Sequence, residues 1–234
     1  MRKFTTAVIF FSVLSMFAQD NVLLDSNRAN SALLSIYRTN RPVREEFLLG
    51  IEAQIATNNA SIFDSFDILA GLMQDLAMKS PYQSKERAII YRYMDKFYSQ
   101  TPVETQDRIR ILAIRCLELE FADFDQMAMS NLILLLGTVG DKIDENGLTL
   151  FETSRALTRI FNSEILSINV INTGYIAESL IISTARLLSK DTKGIYLNTV
   201  YFTELKSIAN NRAWGWRISL RLDNELKKYI MSIR

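Results

Sequence analysis

No proline follows Pro102 in a chain of 234 residues, and that gap constrains the fold more than any other feature. A helix interior excludes proline, because its ring removes a backbone N–H and collides with the preceding turn. The C-terminal half is therefore free to form long uninterrupted helices. The prolines present, Pro42, Pro81 and Pro102, stand where helices can begin, at positions whose N–H would lack an intrahelical partner anyway.

Flanking residues strengthen that reading. Ser80-Pro81-Tyr82-Gln83 and Thr101-Pro102-Val103-Glu104 have the form of capping boxes, and Thr149-Leu150-Phe151-Glu152 repeats it without proline. Between these starts the apolar residues recur at helical spacing. Ile109, Leu112, Cys116 and Leu119 make one stripe, widened by Ile111, Ile114 and Leu117; Ile62, Phe66, Leu69 and Met73 make another, and the run Leu132 to Leu136 must be buried. The pattern predicts helices near 42–58, 61–79, 81–100, 102–121, 123–137, 149–162, 174–190, 194–210 and 216–233, with a further one between Asp25 and Arg38. Gly137, Gly140 and Gly147 bracket one loop, and Ile165 to Ile171 fits either a short strand or a helical turn.

The expected starts form a ladder. Those at 42, 81, 123 and 174 are separated by 39, 42 and 51 residues, and those at 61, 102, 149 and 194 by 41, 47 and 45. Most of these steps lie close to the ~40–47 residues of HEAT and armadillo repeats. By period and apolar faces the chain resembles a HEAT/armadillo-like α-solenoid, and that resemblance implies about four stacked antiparallel helix pairs with a C-terminal capping helix. No consensus residues of either family recur at fixed positions. The alternative all-α architecture is a closed helical bundle.

Composition removes many functions. The chain has no histidine, which excludes Ser-His-Asp and Cys-His triads and His-ligated zinc. Its single cysteine, Cys116, has no partner for an intramolecular disulfide and lies on the apolar stripe, so it reads as core. Lys and Arg number 27 against 26 Asp and Glu, so no global basic field draws the chain to nucleic acid. No nucleotide-binding or nucleophile-elbow motif is present, and no cofactor is expected.

Met1-Arg2-Lys3 followed by the apolar run Ala7 to Phe17 has the form of a secretory signal, too short for the ~20 residues of a membrane span. Residues 1–18 are expected to be removed, leaving 19–234 as a single all-α domain without a membrane span, exported to the periplasm or secreted. Its 25 basic and 26 acidic residues would give a net charge of −1.

Several groups are candidate sites. Asp141 to Gly147 looks like a calcium loop, but with Gly147 at the sixth position the first and twelfth are Lys142 and Thr153, so a solvated turn is expected. Asp64, Asp67, Asp75, Glu104, Glu118 and Glu152 are carboxylates from which a glycan hydrolase could draw an acid–base pair, with nothing to single out two of them. Tyr91 and Tyr98, seven apart, would line an aromatic strip if exposed, whereas Tyr93 and Phe97 read as core. Arg108 with Arg115, and Arg155 with Arg159, fall on second helices of pairs and would face a carboxylate-bearing partner, or form ordinary charged surface.

The C-terminal turn gathers Arg212, Trp214, Trp216, Arg217 and Arg221, and from Lys206 to Arg234 seven basic residues face Asp223 and Glu225. Trp and Arg dominate binding hot spots, so this cluster is the candidate contact surface; the competing reading buries both Trp residues in the core. The function expected is a non-enzymatic interaction or assembly module of the cell envelope with a protein partner. A carboxylate-dependent cell-wall glycan hydrolase and a carrier of apolar ligands are the alternatives.

Overall fold

The structure is a computed structural model that describes residues 26–58, 65–78, 82–143, 146–163, 174–211 and 215–233. The expected signal segment lies outside them, as does the stretch Ile165 to Ile171. Ten α-helices account for most of the described chain: α1 (Ser26–Thr39), α2 (Arg41–Thr57), α3 (Ser65–Ala77), α4 (Ser84–Phe97), α5 (Val103–Ala122), α6 (Gln126–Val139), α7 (Glu152–Phe161), α8 (Gly174–Ser189), α9 (Val200–Asn211) and α10 (Trp216–Ile233). Short 3-10 turns follow α4 at Tyr98–Gln100 and precede α9 at Ile195–Asn198. A two-residue antiparallel ladder, β1 (Lys142–Ile143) with β2 (Thr149–Leu150), is the remaining regular element. The fold is all-α, and no described helix is long and apolar enough to cross a membrane.

Helix existence follows the apolar periodicity, but four starts differ from expectation. At α4, Gln83 is itself the N-cap, and Glu86 closes the capping box by accepting the Gln83 N–H at 2.8 Å. At α5, Thr101 does not cap; it is buried and its hydroxyl turns back to the Phe97 carbonyl. At α7, Thr149 and Leu150 are drawn into the ladder, so the helix begins at Glu152. Its free N–H groups are capped by Asp141, whose Oδ1 accepts from Thr153 at 2.7 Å and Ser154 at 3.1 Å. The helix expected from 194 is broken at Thr199, whose hydroxyl accepts the Phe202 N–H and starts α9.

The even-numbered helices pack in order, α2 on α4, α4 on α6, α6 on α8 and α8 on α10, while α1, α3, α5, α7 and α9 follow one another in the same way. Cross-contacts tie α1 to α2, α3 to α4, α5 to α6 and α9 to α10. Side-chain bonds show neighbouring even helices running parallel: Ser183 and Arg186 of α8 donate to the carbonyls of Ile133 and Leu134, and Lys190 to that of Thr138. At the closest approach of α6 and α8, a Cβ on Gly137 would lie 2.5 Å from the Ser183 Cα, so only glycine fits there. One continuous apolar core runs from Tyr37 to Tyr229.

Candidate interaction site

Gly215, at φ +85°, turns the chain into α10. The inner face of that helix buries Ser219, Leu222, Leu226 and Tyr229, against α8 and α9. Its first turn does not follow: Trp216 keeps 64% of its surface exposed and Leu220 keeps 50%. Trp216 is therefore not part of the core. Together with Ile181 and Ile218 these side chains line a shallow cleft of about 430 Å³ between α8 and α10, edged by Arg217, Arg221 and Glu178. Tyr175, 74% exposed, stands one turn before Glu178 on α8.

Three of the seven basic residues of the C-terminal segment are paired with carboxylates. Lys227 pairs with Asp223 and Lys228 with Glu225 along α10, and Arg221 reaches across to Glu178 at 2.7 Å. Arg217 and Lys206 have no acidic partner within the described residues; the Arg217 guanidinium lies over the Trp216 ring, 5.8 Å from the centroid, and the Lys206 ammonium over that of Phe202. Arg212 and Trp214 lie outside the described residues.

The second expected arginine group is split. Arg159 pairs with Glu118, holding that carboxyl below its usual range through their hydrogen bond, and lies over the Phe121 ring. Arg108 donates to Gln74 at 3.1 Å. Arg115 and Arg155 are exposed on the adjoining helices α5 and α7. Ile111, expected to be buried, is 43% exposed on that face.

The most strongly held charges were not singled out from the sequence. Glu86 and Arg87, adjacent on α4, point in opposite directions. Glu86 takes Arg44 of α2 at 2.9 Å; Arg87, fully buried, meets Glu120 of α5 through two nitrogens at 2.8 and 3.3 Å. Arg87 also donates to the Tyr82 carbonyl and pairs with Asp123, and Tyr91 donates its hydroxyl to Glu120 at 2.9 Å. Burial pushes the Glu120 carboxyl up despite Arg87, and the Tyr91 phenol further still. With every polar group of this cluster engaged, it serves as a staple between helices. The signal was available: Arg44, Arg87 and Glu120 each sit at i±3 or i±4 from buried apolar residues of their own helix.

The other candidates are accounted for by their neighbours. Tyr91 is buried and Tyr98 half-buried, so no exposed aromatic strip forms. Cys116 is buried with its thiol pushed up to about 12 by desolvation, in agreement with a core role. In the calcium-like loop, Asp141 spends its carboxylate on α7 and on the Tyr196 hydroxyl at 2.8 Å. Among the carboxylates, Asp75 is held by Arg38 and Tyr82, Glu118 by Arg159, and Glu152 lies 3.6 Å from Arg110. Asp67 and Glu104 are exposed, and Asp64 lies outside the described residues. In comparisons with known proteins, no family model, no curated protein and no solved structure matches this chain.

Proposed function

We propose that the chain acts outside the cytoplasm as a non-enzymatic protein-interaction or assembly module of the cell envelope, built as an α-solenoid of the HEAT/armadillo kind. The exposure of Trp216 carries the functional part. An indole left in water beside Leu220 and an Arg217 without an acidic partner among the described residues, over an apolar cleft, combines large contact area with directed hydrogen bonding, the composition of a binding hot spot. A glycan hydrolase needs two carboxylates across its cleft, whereas among the described residues this one carries Glu178, already engaged by Arg221.

The stacking order favours the solenoid over a closed bundle. Even helices start at 41, 84, 126, 174 and 216, in steps of 43, 42, 48 and 42 residues, and each packs on the one before it. A repeat of this kind makes a rigid frame from nearest-neighbour contacts. Export is motivated by the N-terminal charge and apolar run, and is checked by cell fractionation with N-terminal sequencing; an intact Met1 on a cytoplasmic protein rejects it.

The functional test is in-cell crosslinking with mass spectrometry, repeated on the double variant Arg217→Ala, Arg221→Ala. Crosslinks to one protein partner mapping to α8 and α10, lost in the variant at unchanged melting temperature, are expected. Partner capture that persists in the variant at moderate salt removes the cleft from the interface.

A further inference from the structure

We infer that the cleft between α8 and α10 takes a short polypeptide segment bearing an apolar side chain next to a carboxylate. This rests on the reading of the cleft as a protein-contact surface and names what that surface recognises.

The argument begins with size and depth. At about 430 Å³ the cleft is near the lower end of ligand sites, roughly 300–1,000 Å³, and its walls are surface side chains. It holds one or two side chains and does not enclose a long acyl chain. The floor is apolar, from buried Ile181 and half-buried Ile218, with Trp216 and Leu220 as walls; Tyr175 extends the apolar surface along α8. A single apolar anchor fits that floor.

The rim specifies the rest. Arg217 presents a guanidinium without an acidic partner among the described residues, and its planar donors match a carboxylate. Beside it Glu178 and Arg221 form an exposed pair at 2.7 Å, so the rim offers an acceptor as well as donors. A phosphate dianion would meet the Glu178 carboxylate. A polypeptide brings both chemistries: its side-chain carboxylate serves Arg217, and its backbone N–H groups serve Glu178. Partial neutralisation by Glu178 favours a singly charged group over a polyanion.

The test is selection of a displayed random heptapeptide library on the purified protein and on Arg217→Ala, whose melting temperature is measured alongside. Sequences with Asp or Glu next to Leu, Ile or Phe are expected to be enriched about tenfold over their amide counterparts on the parent, and within about twofold on the variant. Enrichment of basic or purely apolar peptides, no enrichment at all, or an acidic preference that survives Arg217→Ala overturns the inference. Saturable binding of myristate that displaces the selected peptides overturns it in favour of an apolar-ligand carrier. If selection fails while crosslinks to a protein partner still map to α8 and α10, the peptide inference falls and the contact surface stands. If both fail, the reading of the cleft falls as well.

Discussion

The helices of the N-terminal half and those of the C-terminal half are fastened by different chemistry. Between α2 and α5 the fasteners are buried ion pairs, Arg44–Glu86 and Arg87–Glu120, each supported by further hydrogen bonds. Between α7 and α10 they are phenols donating to carboxylates without an ion-pair partner among the described residues. Tyr196 donates to Asp141, and Tyr229 to Asp191, which also accepts the Tyr196 N–H at 3.0 Å. A buried ion pair carries the desolvation cost of two charges, so removing one partner strands the other. A phenol is neutral and loses less when deleted, but it fails when it ionises beside the carboxylate it serves. Deleting one partner of a fastener should therefore cost more in the N-terminal half.

Arg87→Met is the harshest test, because Glu120 is left buried without its cation. A loss of about 3–5 kcal/mol is expected in denaturant unfolding, and Arg87→Met with Glu120→Leu should recover most of it. A single variant that costs under about 1 kcal/mol would mean the pair is not holding α4 to α5.

Alkali should act on both halves, because each holds buried phenols. Burial raises the phenols of Tyr196, Tyr201 and Tyr229 above their ordinary value, and in the N-terminal half those of Tyr37, Tyr91, Tyr93 and Tyr98. The folded state therefore binds more protons than the unfolded state above about pH 10, and stability falls as pH rises through that window. About 1 kcal/mol per pH unit is expected above pH 10 for each phenol that the fold keeps protonated. Tyr91→Phe and Tyr229→Phe should each remove part of this loss, one from either half; an alkaline profile unchanged by both would reject the phenols as its source.

Tyr196→Phe removes one donor from Asp141 and is expected to cost about 1–2 kcal/mol, less than Arg87→Met. Thermal melts of both variants in one buffer check that ranking. The smallest effect is expected at Arg110. This arginine is buried like Arg87, but its Nε and Nη1 have no hydrogen-bond acceptor and its charge partners Asp107 and Glu152 are half-exposed. Arg110→Met should be neutral or stabilising by up to about 1 kcal/mol, since it strands no buried charge. A loss comparable to that of Arg87→Met would show that burial alone, rather than satisfaction, sets the cost.

The same contrast marks how far the sequence could be read. Helices were legible because burial repeats every three to four residues: α2, α6, α8 and α10 begin within a few positions of expectation. Caps were less so, because a cap need not come from the preceding residue. Asp141 reaches α7 from the far side of a hairpin, twelve positions before Thr153, and nothing in Thr149 to Glu152 announces it. Tyr91 and Tyr98 share a helix face by count, yet a hydroxyl partner on α5 draws Tyr91 inward. At the candidate site, residue types pointed to the turn before α10, but whether Trp216 faced core or water depended on how α10 lies across α8. Complementary charges on apolar stripes, Arg44 with Glu86 and Arg87 with Glu120, were visible in the pattern without their pairing being so.

Most bonds between stacked helices join immediate neighbours, but Arg186 does not stop at one. From α8 it donates to the Leu134 carbonyl and the Thr138 hydroxyl of α6 and continues to Asp95 of α4 at 2.7 Å, where Thr138 also donates. A stack wired only to nearest neighbours can unzip from its end, one layer at a time. Peeling α10 from α8 breaks an exposed ion pair and the Tyr229 bond, a modest toll. Detaching α8 next would unclasp three layers together, so fraying that begins at the C-terminus should halt there, and the span from α4 to α8 should melt as a single cooperative block.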